Sequence, residues 1–203
     1  MAHIVLFHSV LGVRQGVLDA ASQLEAMGHT VTVPNLYDDT LVFDDYEPAM
    51  KHVQSIGYPA LLDRTRDAAH HLPADVVYAG FSNGGASAEY LAVTRPGALA
   101  CILFSAAVPL EAYAQIGAAD VERWPASVPV QVHYAASDPF REQEEIDGLA
   151  RDVAASGARF EFHEYPGSGH LFTDASLTAE YDAASTSLLW DRVRAFLDNI
   201  AAG

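Results

Sequence analysis

Residues 75–94 read Asp-Val-Val-Tyr-Ala-Gly-Phe-Ser-Asn-Gly-Gly-Ala-Ser-Ala-Glu-Tyr-Leu-Ala-Val-Thr. The first part, Asp75–Phe81, is a continuous apolar run rich in β-branched and aromatic side chains, which predicts a strand covered on both faces. The second part, Asn83–Thr94, predicts a helix. Between them stands Gly80-Phe81-Ser82-Asn83-Gly84, a G-x-S-x-G motif at a strand-to-helix junction. A serine at such a junction sits on a sharp, strained turn that pushes its hydroxyl out of the sheet. Side chains two residues to either side would collide there, and glycine removes them. The turn also opens a helix whose first amides point at the reacting oxygen. The small residues Gly84, Gly85, Ala86 and Ala88 supply the context that a bare glycine-rich turn lacks. Ser82 is therefore the candidate nucleophile.

Outward from this segment the pattern repeats. Further strands are predicted at His3–His8, Thr30–Pro34, Leu99–Ser105, Pro129–Ala135 and Arg159–Tyr165. In the last of these, Phe160, Phe162 and Glu164 alternate with Glu161, His163 and Tyr165, which suggests a more exposed edge strand. Helices are predicted at Val13–Gly28, Tyr58–Leu72, Glu142–Ser156 and Ser185–Ala201. In the first, Val13, Val17, Ala20, Leu24 and Met27 recur at three- and four-residue spacing, and Gly28 suits the stop. Strict alternation of strand and helix, with right-handed crossovers, gives an α/β fold with a mostly parallel six-stranded sheet and helices on both faces. Two stretches, Leu36–Gly57 and Ala106–Ser127, break the alternation after strand ends and are expected to be loops covering a site. No repeat or linker interrupts the 203 residues, so one domain spanning residues 1–203 is expected.

A serine hydroxyl is a weak nucleophile until a base accepts its proton. Of the nine histidines, His170 in Gly167-Ser168-Gly169-His170 is the one in a flexible loop directly after the sixth strand. His3, His8, His133 and His163 fall within or beside strands, and His70 and His71 end a helix. An imidazole base in turn needs an orienting carboxylate. Asp138 follows the fifth strand in Ala136-Ser137-Asp138-Pro139, although Asp before Pro is also the pattern of a helix N-cap. Glu111, beyond the fourth strand, is the alternative acid. Ser82, Asp138 and His170 each follow a different predicted strand. All three then meet at the carboxyl edge of the sheet, where open α/β sheets bind ligands. Two amides should face the developing negative charge. Asn83 follows the nucleophile, and Val10 lies in the loop after the first strand. Tyr37, Phe81, Phe140 and Phe172 adjoin this edge and are candidates for an apolar wall.

Composition narrows the partners. With 27 acidic and 11 basic side chains the formal net charge is −16, a field that repels phosphate backbones and anionic headgroups. Nucleic acid and membrane surfaces are accordingly not expected as partners; a small molecule is. Arg14, Lys51 and Arg141 are the cations near strand ends or their loops. The single cysteine, Cys101, excludes an internal disulfide and a multi-cysteine zinc site. The opening Met-Ala-His runs directly into the short apolar run Ile4–Phe7, without the basic flank and cleavage site of a signal peptide, so a cytoplasmic location is expected.

At these residues the chain resembles the dienelactone hydrolase family of the α/β-hydrolases. The likeness extends over most of the chain. It includes Pro34-Asn35-Leu36-Tyr37, the turn around Ser82, Asp138-Pro139-Phe140 and, most specifically, Tyr165-Pro166-Gly167-Ser168-Gly169-His170. The resemblance implies a compact α/β-hydrolase fold, no metal or organic cofactor, and a triad of Ser82, His170 and Asp138 acting on a small ester or lactone. Two departures matter. The family's namesakes use a cysteine nucleophile where this chain has Ser82, and they have a glutamate where Ser9 stands. Both point to a plain serine esterase. Acyl transfer or thioester cleavage on the same triad, and a non-catalytic binding role for the fold, are the alternatives.

Overall fold

The computed structural model describes residues 1–38, 40–118 and 120–201, with residue 201 described by its backbone only. Six strands, β1 (His3–Phe7), β2 (Thr30–Thr32), β3 (Val76–Phe81), β4 (Ala100–Phe104), β5 (Val130–Ala135) and β6 (Phe160–Tyr165), form one sheet in the order β2-β1-β3-β4-β5-β6. Every neighbouring pair is parallel. Helices α1 (Gln15–Ala26) and α7 (Ala183–Ala201) cover one face. On the other lie α3 (Tyr58–Ala69), α4 (Asn83–Thr94), α5 (Leu110–Gln115) and α6 (Gln143–Ser156), while α2 (Tyr46–Ile56) contributes buried residues to both sides.

The two-residue period of a strand explains why both faces are apolar. Along β3, Val77, Ala79 and Phe81 pack towards α1 and α7, while Val76 and Tyr78 pack towards the opposite layer. All six residues of β3 are buried. β6 alternates as an edge strand should and is only half-buried over most of its length. α4 carries no polar stripe because it is enclosed on all sides; even Ser87 and Glu89 are buried there.

Two expected loops contain helices. α2 lies within residues 36–57; its inward residues are only Ala49 and Val53, and Pro48 occupies its first turn, where a missing N–H costs nothing. α5, within residues 106–127, has six residues, too few to express a period. The start of α6 also differs. It begins at Gln143 with Glu142 at the cap, so Asp138-Pro139 does not cap it. Asp138 closes a tight turn instead, accepting the Phe140 N–H on Oδ1 at 2.8 Å. Among the described residues no helix is long and apolar enough to cross a membrane.

Candidate active site

Ser82 joins β3 to α4 at φ 51° and ψ −123°, a conformation that side-chain-bearing residues avoid. The turn is held by Ser82 N–H on Phe104 O at 2.8 Å and by Gly85 N–H on Ser82 O at 2.7 Å. Glycine is required on both flanks. A Cβ on Gly80 would lie 2.1 Å from Gly84 O, and one on Gly84 would lie 2.3 Å from His8 O. Both obstacles are backbone, so neither could move aside cheaply.

The Ser82 hydroxyl lies 2.7 Å from His170 Nε2, and His170 Nδ1 lies 2.7 Å from Asp138 Oδ2. Asp138 Oδ2 accepts the hydrogen bond from Nδ1–H. That leaves Nε2 as the acceptor for the serine proton. Asp138 and His170 are both buried. Glu111 is exposed on α5, and the bond that fixes the imidazole goes to Asp138.

The imidazole is braced by residues that carry no motif. Its ring stands edge-on to Phe140 at 4.8 Å and to Tyr46 at 5.8 Å. Tyr46 donates to the Glu180 carboxylate, which also accepts the Leu171 N–H at 2.7 Å. The carbonyl of His170 accepts the Ser105 hydroxyl at 2.6 Å. Ser105, like Ser82, is a non-glycine residue at positive φ, here 52°.

The loop after β1 supplies the Val10 amide. Ser9 O accepts Nδ1–H of His8 at 2.7 Å and the Gly12 N–H at 3.1 Å. Because the peptide is planar and trans, the Val10 N–H points away from those partners. Val10 and Asn83 both line the cavity that holds Ser82 and His170. Asn83 opens α4, so its N–H has no partner within the helix. His8 also accepts the Leu36 N–H on Nε2 at 3.0 Å. Burial pulls its pKa below the ordinary histidine value, outweighing the opposing bond to Ser9, so the ring stays neutral as a fixed strut.

The cavity encloses about 340 Å³ between the nucleophile, the Ala106–Val108 segment and residues of α2, α3 and α5. Of the four expected wall residues, Phe140 lines it. Tyr37 does not. It is buried behind the β1 loop and donates to Val10 O at 2.7 Å, steadying that loop. Phe81 and Phe172 are core residues on the α1/α7 face: Phe81 stacks on Phe104 at 4.6 Å, and Phe172 packs on Tyr165. The error is one of parity, since Phe81 is adjacent to Ser82 in sequence but points to the other side of the sheet. Sequence reading missed Met50, Tyr58, Tyr113 and Tyr134, which do line the cavity.

The charges around the cavity are one-sided. Its described lining includes the carboxylate Glu145 and no Lys or Arg. The three cations noted in the sequence are engaged elsewhere. Arg14 bonds Phe43 O and Asp44 and lies 3.5 Å from Asp174. Lys51 pairs with Glu47 on the surface, and Arg141 with Glu164. Behind the wall, Glu89 is fully buried and accepts the Val108 N–H at 3.2 Å. Burial raises its carboxyl well above the usual range.

Comparison with known proteins bears on the family and the fold. The family model for the dienelactone hydrolases matches residues 1–201. The chain belongs to the dienelactone hydrolase family. A curated relative, protein usf of Aquifex pyrophilus, is 28% identical over 156 residues, covering 77% of this chain. This chain spans 64% of the length of that relative. Among solved structures, the dienelactone hydrolase-like promiscuous phosphotriesterase P91 from metagenomic libraries superposes with a TM-score of 0.80 at 21% identity, over 98% of this chain and 87% of its own. An esterase from Pyrobaculum calidifontis gives 0.65 at 15% identity, over 100% and 78%. The propionate-bound esterase Est2 of Thermogutta terrifontis gives 0.64 at 16%, over 99% and 82%. At these identities the structural neighbours speak for the α/β-hydrolase fold, in its short form with a six-stranded sheet.

Proposed function

We propose that the protein hydrolyses small carboxylic esters or lactones through an acyl-enzyme on Ser82. The observation that carries this reading is the relay from Ser82 through His170 to Asp138, two contacts of 2.7 Å opening into a cavity. In acylation, Ser82 Oγ attacks the substrate carbonyl carbon as its proton passes to His170 Nε2. The oxygen becomes an oxyanion facing the amides of Asn83 and Val10, where preorganised donors are worth about 10²–10³ in rate each. Asp138 holds the tautomer and stabilises the imidazolium. Collapse of the intermediate breaks the ester C–O bond, and the alcohol leaves with the proton from His170. Water then repeats the sequence: it loses a proton to His170, attacks the acyl carbon, and releases the acid and Ser82.

The charge of the lining disfavours anionic substrates. A dienelactone carries a carboxylate, and binding it would need a cation that the described wall lacks. Rapid acid quench during turnover of p-nitrophenyl acetate, followed by peptide mapping, tests the reading. Acetyl on the Ser82 peptide is the expected result, and steady turnover with no acyl-enzyme under any quench would refute it. Adding a competing alcohol separates hydrolysis, which leaves the product as acid, from acyl transfer, which yields a new ester.

A further inference from the structure

Glu145 lines the same cavity as Ser82 and His170, and it is the one carboxylate in that described lining. It lies in the first turn of α6, on the segment that follows Asp138 and Phe140. A carboxylate there gains from the helix dipole, which explains its tolerance but says nothing about ligands. Three further observations do. The cavity holds no Lys or Arg to neutralise it among the described residues. The side chain is exposed, and its carboxyl is pushed above the ordinary range, first by partial loss of water around it and then by neighbouring Glu142. The remaining lining is aromatic, with Tyr58, Tyr113, Tyr134 and Phe140, and the rings of Tyr58 and Phe140 are also exposed at the surface. Aromatic surface beside a carboxylate attracts alkylammonium groups, through the ring quadrupole and through charge. The same surface repels an anion.

We infer that Glu145 sets the charge selectivity of the site, so that esters bearing an ammonium group on the acyl chain are preferred over carboxylate-bearing ones of the same shape. The inference rests on the esterase reading of the cavity and names its substrate class more closely. Two charges several ångströms apart in a partly solvated cavity give a preference of about threefold to tenfold for a single carboxylate, shrinking as salt screens it.

The test uses three p-nitrophenyl esters of one chain length, ending in trimethylammonium, tert-butyl or carboxylate; the first two differ in charge and hardly in shape. Values of kcat/KM are compared at pH 8 at low and high salt for wild type, Glu145→Gln and Glu144→Gln. Glu144 is the control, an exposed acid of the same helix turn outside the cavity lining, and its loss changes the net charge equally. The expected result is ammonium over tert-butyl over carboxylate in wild type. Glu145→Gln should cut the ammonium-to-carboxylate ratio by about threefold to tenfold, and Glu144→Gln should leave it within about twofold. Equal changes in both variants would assign the effect to the overall field and overturn the role of Glu145, as would a preference for the carboxylate ester. Equilibrium binding of the same esters to Ser82→Ala reads the charge order without turnover. A preserved order with no turnover in wild type would refute the esterase reading and keep the inference; turnover with no charge order would do the reverse. A lower melting temperature in Glu145→Gln with the ratio unchanged would reduce Glu145 to a helix-terminal charge.

Discussion

Ser105 offers a test of the site's construction, because removing its side chain in two ways separates two effects. Its hydroxyl is buried and donates to His170 O at 2.6 Å, while its backbone is held at φ 52°. Ser105→Ala deletes the bond and keeps the strained backbone. The His170 carbonyl then loses a buried partner, which costs about 1–3 kcal/mol. Ser105→Gly deletes the same bond but removes the Cβ that opposes the left-handed conformation, a relief of about 1–2 kcal/mol. The greater freedom of glycine in the unfolded chain takes back about 0.4–1 kcal/mol. The glycine variant should therefore be more stable than the alanine variant by up to about 1.5 kcal/mol, or up to about 6 °C in melting temperature for a chain of this length. Both variants should lose turnover, since the carbonyl that the hydroxyl anchors belongs to His170, the proposed base. About 1.4 kcal/mol of misplacement corresponds to tenfold in kcat. Thermal denaturation paired with kcat and KM for a neutral ester gives all the quantities. A glycine variant less stable than the alanine variant would refute the strain argument, and full turnover in both would remove Ser105 from the positioning of His170.

Other expectations follow from named contacts. Asp138→Asn should lower kcat by about 10³–10⁴ because the amide favours the wrong imidazole tautomer, while Glu111→Gln should leave it near wild type; the reverse ranking in steady-state kinetics would reassign the acid. Stability against pH should carry two opposed slopes. His133 is fully buried between Tyr165 Oη at 2.7 Å and Gln131 Oε1 at 2.9 Å, and burial holds its pKa well below the ordinary value. Below about pH 6.5 the unfolded chain takes up a proton there that the folded protein refuses, so stability falls as pH drops from that value towards the lowered folded one. Glu89 acts oppositely. Its raised pKa means that the folded protein holds a proton the unfolded chain has released, so this group's contribution weakens as pH rises above about 4.3 through the raised folded value. Glu89→Gln should then stabilise the protein more at pH 8 than at pH 5; urea denaturation midpoints showing equal gains at both would contradict a raised carboxyl pKa.

The order of strands and helices was legible because a sheet buried on both faces demands apolar runs, and these stand out at β1, β3 and β4. The turn at Ser82 was legible because its strain restricts which residues can flank it. What was not legible depended on contacts between distant segments. α2 buries only Ala49 and Val53 along its length, too little to mark an apolar face. The wall of the cavity comes from Met50, Tyr58 and Tyr113, on three helices whose relative placement no local pattern encodes. Phe81 and Phe172 were drawn to the site by adjacency in sequence, where strand parity and core packing decide otherwise. Ser105, Tyr46 and Glu180 carry no motif at all; their roles emerge only from bonds and ring contacts around His170 and Leu171.

The claim on which the rest depends is that Ser82 is the nucleophile. Turnover of p-nitrophenyl acetate per folded molecule, in wild type and in Ser82→Ala, tests it most directly, with circular dichroism showing that both are folded. A loss of several orders of magnitude, together with loss of covalent labelling by a fluorophosphonate, is expected. Undiminished turnover in Ser82→Ala would contradict the account.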